Sequence, residues 1–118
     1  MSYALLWLRG FALTLAVEQA IAVPLLASVD RSRLRRASAV LIANLTTHPL
    51  VWFFFLRIGW QRTTAIWVAE VWAFGFEIVV YRVVFSAATW RRCMLVSVAA
   101  NTGSFLLGFA AIELGLYR

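Results

Sequence analysis

TTAIWVAEVWAFGFEIVVY, residues Thr63–Tyr81, decides the fold. Its only charges are Glu70 and Glu77, and arginines 62 and 82 close it at both ends. A hydrocarbon core about 30 Å thick needs about 20 apolar residues wound as a helix. An amphipathic helix of a soluble bundle would show a wide polar face. This stretch has none, so it predicts a membrane span.

The same punctuation recurs along the chain. Arg9 to Asp30, Arg36 to Arg57, Arg62 to Arg82 and Arg92 to Arg118 each bracket one apolar run. The reading is an all-α integral membrane bundle of four transmembrane helices with short loops. It forms a single domain, with spans at about 3–27, 39–56, 64–81 and 93–116. Composition agrees. The 118 residues are 64% hydrophobic and 14% charged, whereas soluble domains are nearer half apolar and a quarter charged.

The net charge of +6 comes from arginine alone, with no lysine. High-GC coding is the bland explanation for that bias; the expected location is a bacterial inner membrane. The basic residues sit at span ends, where anionic headgroups favour them, and form no surface suited to nucleic acid. The first and third loops hold Arg31, Arg33, Arg35, Arg36, Arg82, Arg91 and Arg92, against Arg57, Arg62, Arg118 and Arg9 on the other side. The positive-inside rule then puts both termini outside. The first span carries Glu18 and Gln19 and lacks a leading basic cluster, so it is expected to be retained rather than cleaved as a signal peptide. Cys93, the only cysteine, excludes an internal disulfide and any multi-cysteine metal site.

Chemistry is concentrated in a few expensive residues. A charge at the bilayer centre costs roughly 2.5–3.5 kcal/mol on insertion scales. Glu18 lies in span one, His48 near the middle of span two, Glu70 and Glu77 in span three, and Glu113 near the end of span four. Helical spacing puts Glu70, Glu77 and Tyr81 on one face, as it does Asn44 and His48, and Gly10, Thr14 and Glu18. Ser97, Asn101, Ser104 and Gly108 make a fourth stripe, expected to face other helices. Converging stripes predict an inner cluster of Glu18, Asn44, His48, Glu77 and Asn101, with Glu70 nearer the outer side and Glu113 interfacial. Two carboxyls close together in a low dielectric do not both ionise easily, so one can hold a proton. Pro49 interrupts span two and frees the carbonyl of Leu45, with Thr46 and Thr47 placed to help satisfy the backbone. No internal repeat emerges beyond a polar patch shared by spans two and four.

The bland alternative is that asparagine, histidine and hydroxyl groups serve helix association alone, at about 0.6 kcal/mol each. A mixed nitrogen–oxygen metal site from Glu18, His48 and Glu77 is a weak candidate, since no ligand spacing supports it. No catalytic residues are assigned. There is no nucleotide fingerprint or phosphate loop, so no cofactor is expected. Length, four spans and the single glutamate of span one resemble the small multidrug resistance transporters. That resemblance implies an antiparallel dimer exchanging protons for a cationic drug, with Glu18 carrying the role. The two glutamates of span three and the missing helix-three glycine motif depart from it. Three function classes follow: a proton- or cation-coupled transporter or channel subunit, a non-catalytic subunit or assembly factor of a larger membrane complex, and an intramembrane enzyme. The expected partners are the lipid bilayer and either further copies of the chain or a partner membrane subunit, with no nucleic acid.

Overall fold

The computed structural model describes residues 1–117; Arg118, counted above as the close of span four and toward orientation, lies outside the described residues. Four α-helices follow one another: α1 (Tyr3–Leu25), α2 (Arg33–Phe53), α3 (Arg62–Val84) and α4 (Trp90–Glu113), with a short 3₁₀ turn at Phe55–Arg57. All four are long and apolar enough to cross a membrane, and the chain is a multi-pass membrane protein. Its long axis of 41 Å matches a bilayer with its headgroup regions, about 40–45 Å.

Local chemistry fixes the helix starts. Ser2, Ser32 and Thr89 each sit in extended backbone and accept the amide hydrogen three residues on, from Leu5, Arg35 and Arg92. Each hydroxyl thereby satisfies one otherwise orphaned helix N–H. Two expected boundaries move as a result. The basic segment read as a loop to residue 38 is the first turn of α2, because Ser32 caps there. Asp30 supports the cap by accepting the Ser32 amide at 2.7 Å and pairing with Arg35 at 3.1 Å. Likewise α4 begins at Trp90 and not at Cys93.

Helix ends are resolved as locally. After α4, Gly115 takes φ +72° and the Leu116 amide reaches back to the Ala111 carbonyl. This closure needs a left-handed residue, which glycine supplies without a Cβ clash. Carbonyls at the end of α1 are met by arginines from other helices. Arg36 donates to Val23, and Arg92 donates to Leu25 at 2.7 Å and to the Ser28 hydroxyl at 3.2 Å. In α2 the hydroxyls of Thr46 and Thr47 donate to Ile42 and Ala43. These carbonyls lie three and two residues before the Leu45 carbonyl freed by Pro49, so the hydroxyls do not relieve it as expected.

The helices form a ring. α1 packs on α2 and α4, α3 packs on the same two, and among the described residues no diagonal pair meets. Small residues make the seams: Ala22, Ala39, Ala43, Ala65, Ala69, Ala73 and Ala100 are all buried. Without a hydrophobic drive between helices in lipid, close backbone approach through small residues is what holds a bundle. The large side chains point outward instead, as at Val71, Val83, Leu106 and Phe109.

Candidate functional site

Along the axis of this ring lie two carboxyls. Glu18 and Glu77 are each 1% exposed. Glu18 is the sixteenth residue of α1 and Glu77 the sixteenth of α3, so these two helices, diagonal in the ring and running the same way, hold them at matching depth. Among the described residues the only ion pair is Arg35 with Asp30 at the surface. Neither interior glutamate has a counter-charge among these residues.

Each has polar donors instead, arranged alike. Asn44 of α2 donates to Glu18 at 2.7 Å, and Asn101 of α4 donates to Glu77. Each asparagine also donates to the carbonyl four residues back, Val40 at 3.0 Å and Ser97 at 2.9 Å. Both side-chain N–H groups are thus committed, which fixes the orientation of the amide. Asn44 is the twelfth residue of α2 and Asn101 the twelfth of α4. The glutamate–asparagine separations, 26 and 24 residues, differ only through the connecting loop.

The second donor to each carboxyl comes from the other hairpin. Ser104, three residues after Asn101, approaches Glu18 at 3.1 Å. Thr47, three residues after Asn44, approaches Glu77 at 3.3 Å. The hairpins α1–α2 and α3–α4 therefore obey a two-fold relation through one pattern, Ala-Asn-x-x-Thr at residues 43–47 and Ala-Asn-x-x-Ser at 100–104. This is a repeat that the sequence reading did not resolve. Its signal was present in two five-residue segments, but the surrounding residues differ and the hydroxyls differ by a methyl. Thr47 and Ser104 are the functional candidates that reading missed, Thr47 being taken there as a backbone aid and Ser104 as packing.

Of the expected cluster, Glu18, Asn44, Glu77 and Asn101 come together. His48 does not join their hydrogen bonds. It lies one turn beyond Asn44 on α2, with its ring centroid 5.4 Å from Phe11, 5.9 Å from Trp52 and 6.4 Å from Trp7. Its Nδ1 has no partner among the described residues. The weak metal set Glu18, His48 and Glu77 is thus divided between a polar layer and an aromatic one. No group of three or more metal-ligating side chains stands together among the described residues.

Glu70, two turns before Glu77, is half-buried beside a groove of about 320 Å³ between α3 and α4, whose lining includes Trp67, Phe105 and Asn101. Glu113 is exposed at the far end of α4. Of the α4 stripe, Ser97 and Ser104 are buried, and the Ser97 hydroxyl donates to Phe74 at 2.9 Å. Gly108 departs from the expectation of close packing, since a Cβ there would meet nothing within 4 Å. Gly103 is the tight position, where a Cβ would collide with Ile21 of α1. The tyrosine of the α3 stripe, Tyr81, is fully buried with its hydroxyl unpartnered among the described residues.

Compared with known protein families, curated proteins and solved structures, the chain matches none.

Proposed function

We propose that this protein is a proton- or cation-coupled transporter or channel subunit of a bacterial inner membrane, with both termini outside and Glu18 and Glu77 as its exchange site. The orientation rests on the arginines gathered at the α1–α2 and α3–α4 connections. One observation carries the functional reading. Two carboxyls lie on the bundle axis with donors but, among the described residues, no counter-charge. Such a pair is neutralised either by protons or by a cation, and exchanging one for the other is coupled transport. A purely structural polar layer needs only asparagine and hydroxyl groups, which cost less to bury.

The site accommodates both protonation states without repacking. A hydroxyl has one proton and two acceptor lone pairs. Ser104 stands 3.1 Å from both Glu18 and the Asn101 carbonyl. Facing an ionised carboxylate, it donates to Glu18. Facing a protonated carboxyl, it turns its proton to Asn101 and accepts from Glu18. Thr47 has the same choice between Glu77 at 3.3 Å and the Ala43 carbonyl at 2.9 Å. The asparagine N–H donors remain in place throughout.

Infrared titration of the carboxyl C=O stretch tests this without a known solute. At pH 7 the protein should show a protonated-carboxyl band that Glu18→Gln or Glu77→Gln removes and Glu113→Gln leaves. In proteoliposomes the first two variants should abolish proton-coupled flux. Full ionisation of both groups at pH 7 overturns the reading.

Glu70 favours a second reading, a subunit of a larger membrane complex. Its carboxyl accepts no hydrogen bond and forms no ion pair among the described residues, beside a groove suited to a basic side chain of a partner helix. Stoichiometric co-purification in mild detergent that Glu70→Gln abolishes would support it.

A further inference from the structure

The two hairpins exchange hydroxyls. Glu18 belongs to the first hairpin and receives its hydroxyl from the second; Glu77 belongs to the second and receives its hydroxyl from the first. The alternative acceptor of each hydroxyl is equally telling. Ser104 turns away from Glu18 onto the carbonyl of Asn101, the residue whose side chain holds Glu77. Thr47 turns away from Glu77 onto the carbonyl of Ala43, next to Asn44, which holds Glu18. Glu18, Ser104, Asn101, Glu77, Thr47 and Asn44 form a closed circuit through all four helices.

We propose that Thr47 and Ser104 are positioning residues that couple the two carboxyls, each reporting the protonation of a glutamate in one hairpin to the backbone of the other. The inference rests on the exchange-site reading above and adds its internal wiring. Loss of a proton from Glu18, to water at the membrane face, leaves a carboxylate. The Ser104 O–H then leaves the Asn101 carbonyl and donates to Glu18, while Glu18 ceases to donate to Ser104. One proton departs, one hydrogen bond reverses and no covalent bond to carbon changes. The Asn101 carbonyl loses an acceptor contact in the helix turn that holds Glu77. The mirrored event at Glu77 releases the Ala43 carbonyl beside Asn44. One hydroxyl that crosses between helices could serve association alone. Two that cross, at equivalent positions and onto equivalent carboxyls, make a reciprocal link.

The test separates this link from ordinary repulsion between charges. At a pH low enough to protonate both carboxyls, Coulombic coupling vanishes and each C=O frequency reports hydrogen bonding alone. Bands are assigned by loss in Glu18→Gln and Glu77→Gln. Thr47→Val should then shift the Glu77 band to higher wavenumber and move that of Glu18 by a smaller amount. Ser104→Ala should do the converse. Thr47→Ser, Ser104→Thr and the double exchange of the two hydroxyls should each restore the native frequencies, and they guard against variants that fail to fold. A shift confined to the same-hairpin carboxyl, no shift in either, or failure of the hydroxyl-keeping variants to restore the bands overturns the proposal. The measurement needs no flux, so absence of transport would strike the functional reading and leave this outcome to be read separately.

Discussion

Removing Asn101 should damage the bundle in a way that removing Glu77 as well repairs. Asn101 supplies the side-chain N–H on one Glu77 oxygen, while Thr47 reaches the other at 3.3 Å. Leucine at position 101 is close in size but leaves a buried carboxyl short of its main donor. Orphaning a buried polar group costs about 1–3 kcal/mol. Hydrogen bonds between membrane helices average about 0.6 kcal/mol and reach about 1.7. Asn101→Leu should therefore destabilise by about 1–2 kcal/mol. Glu77→Leu removes the group that needs the donor, so the double variant should fall short of the summed single effects by about 0.6–1.7 kcal/mol. The two-fold relation predicts a similar coupling for Glu18 with Asn44. The crossed pairs, Glu18 with Asn101 and Glu77 with Asn44, are linked only through the hydroxyls of Ser104 and Thr47 and should couple more weakly than the matched pairs. Reversible unfolding in mixed micelles, followed by tryptophan fluorescence, gives the free energies. Crossed pairs that couple as strongly as matched ones would refute the assignment of donors to carboxyls.

Two further outcomes follow from the geometry. Gly103→Leu should destabilise the fold by about 1–3 kcal/mol, the range for overpacking, because its Cβ meets Ile21; Gly108→Leu should be near neutral in the same assay, and equal effects would contradict the α1–α4 packing. With Cys93 replaced by serine, single cysteines at Arg33 and Arg91 should be shielded from a membrane-impermeant label in intact cells, and labelling of both would invert the proposed orientation.

The sequence by itself determined the membrane class and the number of spans. Apolar runs of bilayer length closed by arginine lack the polar faces a soluble bundle would need, and the requirement that every backbone polar group be satisfied in lipid makes each run a helix. It also identified the costly residues, since Glu18 and Glu77 stand out against apolar neighbours whatever the packing. Helix starts were legible in principle at Ser32 and Thr89, but hydropathy marks where lipid begins and not where a capping hydroxyl ends a loop.

Tertiary structure decided which costly residues meet. Helical periodicity put His48 on the same face as Asn44, yet one turn along the axis carries it from the polar layer into the rings of Trp7, Phe11 and Trp52. Periodicity put Gly108 on the interhelical stripe of α4 and left Gly103 off it, and only the approach of Ile21 shows Gly103 to be the tight position. The crossing of Thr47 to Glu77 and of Ser104 to Glu18 lies further still from the sequence, at separations of 30 and 86 residues. A stripe fixes the face of one helix. The partner it meets depends on the order of helices around the ring and their relative depth, and those are set by packing among all four.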